Sequence, residues 1–305
     1  MVSFRARAMR ALIRAGTRSV PSMTIEQRRE RMERISRRTA APRGTEIRAV
    51  QDGAVRGEWV IGRAASADRV ILYLHGGAFC MGSPASHRNL VARIGAAAQA
   101  RALSLEYRLA PEHPFPAALD DTLAAYRYLL GMGIPNRRVV IAGDSAGANL
   151  TLAALVALRD AGIALPAAAV CISPPTDLGG TGESLVTRAS LDPMLKVEAV
   201  RPLAHAYVVD DARVADPLVS PLRADLRGLP PLLIQVGSDE ILYDDSVRLA
   251  RKAKDAGVEV TLEVGHRMWH VWQASVPYVP EAVAAIRSIG RFILRAVPDP
   301  LGASR

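Results

Sequence analysis

Gly143-Asp144-Ser145-Ala146-Gly147 is the stretch of this chain best suited to nucleophilic chemistry. It lies between a β-branched apolar run at 138–142 and a strongly helical run at 149–159, which puts Ser145 at the apex of a strand, a sharp turn and a helix. Such a turn strains the serine backbone and is tolerated only where the positions two before and two after carry no side chain, a need that Gly143 and Gly147 meet. The hydroxyl then stands exposed, and the helix N-terminus behind it favours negative charge.

Serine is a poor nucleophile near neutral pH unless a base takes its proton, and the base needs an acid to orient it. The chain has 6 histidines. His75 begins a glycine pair, His87 opens a helical run, His113 lies among prolines and His205 falls in a long insertion, whereas His266 and His270 both follow the last apolar strand pattern. The loop after that strand can return to the carboxyl edge of a parallel sheet, where Ser145 also lies. Asp239 and Glu240 are the acid candidates; the structural reading of either is an acidic group at a helix N-terminus. His75-Gly76-Gly77-Ala78 follows a buried strand, so the backbone N–H groups of Gly76 and Gly77, joined by that of Ala146, can stabilise a developing oxyanion.

The elements that must position these groups follow from hydrophobic period. Residues 1–40 read as two Arg-rich amphipathic helices, with Met9, Leu12 and Ile13 on one face of the first and Met32 and Ile35 on one face of the second. From Thr45 the period becomes two: 46–51 and 55–61 flank Asp52-Gly53, a hairpin signal. Strands at 69–74, 102–107, 138–142, 167–172, 232–236 and 258–264 then alternate with helices at 86–98, 117–130, 149–159, 244–256 and 280–296. This is an α/β pattern, a mostly parallel twisted sheet with helices on both faces. The segment between Ser173 and Leu232 is too long for a simple crossover and carries helix-like pieces at 183–189 and 196–208. The expected organisation is N-terminal cap helices over 1–45 and a catalytic domain over 46–305 with a cap insertion at about 180–215.

Composition narrows the function. The net charge of +9 in 305 residues points first to nucleic acid, but residues 1–38 hold eleven Arg against three Glu and so carry almost all of it. No basic groove is expected through the body, and no nucleic-acid partner. Cys80 and Cys171 are far apart and in no metal-ligand or redox spacing, which fits buried thiols in a reducing cytoplasm. Arginines interrupt the N-terminal apolar residues and no apolar run reaches 18, so neither secretion nor stable membrane insertion is expected.

Four motifs together, His75-Gly76-Gly77, Tyr107-Arg108-Leu109-Ala110-Pro111-Glu112-His113-Pro114, Gly143-Asp144-Ser145-Ala146-Gly147 and Met268-Trp269-His270-Val271-Trp272, resemble the bacterial hormone-sensitive-lipase family of esterases over roughly 45–296. The resemblance implies an α/β-hydrolase fold with a helical cap that hydrolyses short-chain carboxylic esters through an acyl-enzyme intermediate, without cofactor or metal and often as a homodimer. It implies His270 as base, the 108–116 loop as support for the oxyanion loop and Asp144 as scaffolding. The serine–acid–histidine order is that of this fold. Relatives place the acid two residues before a leucine and four before an aspartate; with Leu242 and Asp244 fixed, that is Glu240. An ordinary imidazole pKa near 6.5 predicts that turnover falls as the pH drops through about 6 to 7. A noncatalytic ligand-binding relative is the alternative, but such relatives lose the histidine that His270 supplies. Three positions depart from the family pattern: Ala78 for a third glycine, Pro175 for a tryptophan, and Gly265-His266-Arg267 before Met268.

Overall fold

The computed structural model describes residues 2–36 and 39–299. Met1, Arg37 and Arg38 of the basic run and the last six residues of the domain expected to reach 305 lie outside the described residues. Two helices come first, α1 (Phe4–Gly16) and α2 (Ile25–Ser36), followed by the hairpin β1 (Glu46–Asp52) and β2 (Val55–Ile61). The alternation then runs β3 (Ser66–Leu74), α3 (Pro84–Ala98), β4 (Ala100–Leu105), α4 (Ala117–Gly131), β5 (Val139–Asp144), α5 (Ala146–Asp160) and β6 (Ala168–Ile172). An insertion carries α6 (Ser184–Thr187) and α7 (Val197–Val208), and the chain resumes with β7 (Leu232–Gly237), α8 (Tyr243–Asp255), β8 (Val260–Gly265) and α9 (Pro280–Ala296).

The strands form one eight-stranded sheet in the order β1-β2-β4-β3-β5-β6-β7-β8. β2 runs antiparallel to both neighbours, and every pairing from β4 through β8 is parallel. Alternating residues of the central strands feed two cores: Val70, Leu72 and Leu74 of β3 pack with α4 and α5, while Ile71 and Tyr73 pack with α3 and α9. A strand segment buried on both faces favours apolar residues, which is why 70–74 of β3 and 139–142 of β5 read as continuous hydrophobic runs. Burial on two faces also fixes their register, since a slip of one residue would exchange the two cores.

The N-terminal helices lie against the insertion. Thr17 donates to the Pro193 carbonyl at 2.8 Å, Arg14 to Ser190 at 2.9 Å and Arg28 to Ala199 at 2.8 Å. Met9 and Ile13, one turn apart, pack toward the sheet and leave Leu12 68% exposed; Ile35 is also outward, at 51%. Both differ from the faces expected from sequence, since Leu12 and Ile35 stand in solvent instead of joining their helix's packed face. Among the described residues no helix is long and apolar enough to cross a membrane.

Candidate active site

β5 delivers its last residue, Asp144, into the core, and the chain reverses at Ser145 with φ 52° and ψ −122° before α5 begins. The strain is held by fixed neighbours: the Ser145 N–H donates to the Ile172 carbonyl at 2.8 Å, and its own carbonyl starts α5. A Cβ on Gly143 would strike the Gly147 backbone, and one on Gly147 would strike the Leu74 carbonyl. The two glycines therefore permit close approach of β5, α5 and β3 around the serine. The Ser145 hydroxyl makes no hydrogen bond among the described residues.

Glu240 and His270 meet across 30 positions of sequence, with His270 Nδ1 3.0 Å from Glu240 Oε2 and both residues buried. The other carboxylate oxygen accepts from the Gly237 N–H at 2.6 Å and the Ser173 hydroxyl at 2.8 Å. With a carboxylate on Nδ1, the proton belongs there and the Nε2 lone pair is left for a base. Burial works against the imidazolium of His270, but the hydrogen bond and charge of Glu240 outweigh it, so its pKa is raised above the ordinary 6.5. That corrects the expectation of an unperturbed imidazole.

Asp239 is not a bare helix-terminal acid. Its carboxylate takes Arg10 of α1 at 2.6 Å and makes no hydrogen bond to His270 among the described residues. His266 is exposed, while Met268, Trp269 and His270 are buried. Gly265-His266-Arg267 keeps this loop anchored: the Arg267 N–H donates to Ser238 Oγ at 2.7 Å, and Met268 accepts from the Asp239 N–H at 3.1 Å.

The oxyanion candidates divide. The Gly76 N–H already donates to Asp144 Oδ1 at 3.2 Å, and a Cβ on Gly76 would land on that carboxylate, so Gly76 serves the scaffold and not a developing oxyanion. This overturns its expected role; an N–H aimed at a buried carboxylate cannot also face substrate. Among the described residues no acceptor engages the N–H groups of Gly77, Ala78 or Ala146. Ala78 and Phe79 hold positive φ, 51° and 62°, and the Cys80 and Met81 N–H groups close the turn on the Gly77 carbonyl at 3.1 and 3.0 Å. His75 is buried and its pKa pushed down to about 3, first by desolvation and then by His87. Tyr107 stacks on His75 with ring centres 4.2 Å apart and donates to its carbonyl at 2.6 Å.

Sequence reasoning missed two supports. The Ser173 hydroxyl, besides donating to Glu240, accepts from the Val271 N–H at 3.2 Å, so one side chain ties acid loop to histidine loop. Arg29 of α2 donates to Cys80 O at 2.6 Å, to Ala110 O at 2.9 Å and to both oxygens of Glu112 at 2.7 Å. Ala110 N–H in turn reaches Phe79 O at 2.9 Å, which links the 108–116 loop to the oxyanion loop. Neither carried a local signal: Ser173 is one serine at a strand end and Arg29 one among many arginines.

Residues 71–274 match a family model described as the alpha/beta hydrolase fold. An acetyl-hydrolase of Streptomyces hygroscopicus is 51% identical over 82% of this chain and 83% of that relative. A crystal structure of an esterase from the bacterial hormone-sensitive lipase family superposes with a TM-score of 0.94 at 43% identity, over 97% of this chain and 99% of that one. The crystal structure of EstE5 soaked with p-nitrophenyl butyrate gives 0.92 at 41% identity, over 97% and 100%. This chain belongs to the α/β-hydrolase fold family and, within it, to the bacterial hormone-sensitive lipase group.

Proposed function

We propose that in this carboxylesterase Ser145 is the nucleophile, His270 the base and Glu240 the acid that orients it. The buried Glu240–His270 pair, tied through Ser173 to the strand end beside Ser145, is the observation that carries this reading. His270 Nε2 takes the hydroxyl proton as Ser145 Oγ bonds to the ester carbonyl carbon, and the N–H groups of Gly77, Ala78 and Ala146 stabilise the oxyanion. Collapse of the tetrahedral intermediate breaks the ester bond, and the proton on His270 goes to the departing alcohol. Water, deprotonated by His270, then attacks the acyl-enzyme and releases the carboxylic acid. An unengaged Ser145 hydroxyl is compatible with this, since such bonds commonly tighten only when substrate binds.

Residues 1–45 and 180–215 form the cap in this reading, supported by the bonds that join α1 and its flank to the insertion. A cap of that kind limits pocket depth and favours short acyl groups, with Pro175 in place of an aromatic shifting the optimum slightly above acetate. The relatives named for acetyl hydrolysis and soaked with a butyrate ester agree with that range. The unpaired, buried Cys80 and Cys171 suit a cytoplasmic protein, and a homodimer is inferred from the family. A hydrolysis series on p-nitrophenyl esters from acetate to palmitate tests the reading: activity should peak at two to six carbons, at about that length by the pocket argument, and be abolished by a fluorophosphonate that labels Ser145 alone. Efficient cleavage of emulsified long-chain triglyceride, or labelling at another residue, would contradict it.

A further inference from the structure

Asp192 lies in the insertion, ahead of α7, and is completely buried. Its carboxylate is held by backbone N–H groups: Oδ1 accepts from Met194 at 2.8 Å and Leu195 at 2.9 Å, and Oδ2 from Ile241 at 3.0 Å. Lys196 gives its ammonium protons to the carbonyls of Ala189 and Asp192 at 3.0 and 3.2 Å, Arg10 of α1 donates to the Leu191 carbonyl, and neither cation pairs with the Asp192 carboxylate among the described residues. A buried carboxylate without an ion pair is costly, so its retention calls for a purpose beyond shaping a turn. The bonds to Met194 and Leu195 already shape the turn. The bond to Ile241 does something else, because Ile241 follows Glu240 and lies 49 positions away.

The insertion grips the same loop at two further points: Ser184 donates to the Ile241 carbonyl at 2.7 Å, and Arg188 donates to the Ser238 carbonyl. Around His270 the charged groups come from several elements. Glu240 bonds it directly from the acid loop; Asp144 at the end of β5 and Asp192 of the insertion add negative charge that favours its imidazolium. Asp239 is neutralised by Arg10 of α1 at 2.6 Å, Arg188 stacks over Tyr243 at 4.0 Å, and His266 and Arg267 stand in solvent.

We propose that Asp192 is a positioning residue for ester hydrolysis: it fixes the Glu240 loop through the Ile241 N–H and adds a further negative charge to the field that stabilises the His270 imidazolium formed when Ser145 gives up its proton. The proposal rests on the Ser145–His270–Glu240 reading above. It makes the insertion part of the catalytic electrostatics as well as a cover.

Asp192→Asn in the full chain tests it. The amide keeps one acceptor oxygen for the turn but loses the charge and cannot accept from both sides. Expected are a kcat lower by about 10-fold to 100-fold with KM within about 2-fold, and an acid limb of kcat/KM moved to lower pH by about 0.5 or more, because the imidazolium loses a stabilising charge. A variant with a lower melting temperature but wild-type kcat and pH limb would make Asp192 structural only and overturn the proposal. If Asp192→Asn does not fold, Asp192→Glu decides: a wild-type limb with kcat lowered severalfold supports the proposal, and any other combination overturns it. Fluorophosphonate labelling of the wild-type Ser145 separates the two failures, since absence of labelling would strike the underlying reading instead.

Discussion

Two buried histidine–carboxylate pairs occur in the fold, and they differ in what the rest of each histidine is doing. In one pair His270 Nδ1 faces Glu240 at 3.0 Å; in the other His87 Nε2 faces Asp144 at 3.4 Å. In both, burial opposes the charged imidazole and the carboxylate overcomes it, so both pKa values are raised. Asp144 also accepts from Tyr73 at 2.7 Å and from the Gly76 N–H, and its own pKa is lowered, burial notwithstanding, by His87 and Tyr73. His87 has its second nitrogen tied as well, 2.8 Å from Ser86 Oγ and 3.3 Å from Ser83 O. His270 Nε2 has no partner among the described residues. A perturbed imidazole beside a carboxylate is thus common to the scaffold pair and the proposed base, and the unoccupied nitrogen distinguishes them.

Removing the chemistry from one side should have the largest effect. Ser145→Ala and His270→Ala should each lower turnover by roughly 10⁴-fold to 10⁶-fold with the fold intact. His87→Ala should instead leave the Asp144 charge uncompensated and cost about 3 kcal/mol of stability, measured by urea unfolding. If His87→Ala stayed as stable as wild type while losing turnover as His270→Ala does, the contrast between the two pairs would collapse.

A smaller effect separates the two adjacent acids. Glu240→Gln should cost on the order of 10⁴-fold in turnover, since an amide favours the wrong tautomer of His270. Asp239→Asn breaks only the tie to Arg10, and its turnover should stay within about 10-fold of wild type. The reverse order of damage would mean that the acid loop presents Asp239 to the imidazole.

The mildest test is the pH profile. As the proposed base, His270 works only when neutral, and its pKa is raised in the folded enzyme, so kcat/KM should climb with pH through a midpoint above 6.5. Because the charged His270 is favoured in the fold, its contribution to stability runs the opposite way: full below about 6.5 and lost as the pH rises through the raised value. A kinetic midpoint at or below 6.5 would place the base in an ordinary environment, and the Glu240 charge would not be governing it.

Sequence alone determined the strands, most helix bounds and the apex position of Ser145, because each rests on local constraints: two-residue and 3.6-residue periodicity, and glycines where backbones must approach. The resemblance of motifs added His270 and Glu240, and the register against Leu242 and Asp244 separated Glu240 from Asp239 without any coordinates. What tertiary structure alone decided is the partner of each polar group. Gly76 looked like an oxyanion donor until Asp144, 68 positions away, took its N–H. Asp239 acquired Arg10 across 229 positions, and the Glu240 loop acquired Asp192 of the insertion across 49. Hydrogen bonds and ion pairs act over a few ångströms of space, whatever the separation along the chain, so no local pattern announces which carboxylate an N–H or guanidinium will meet.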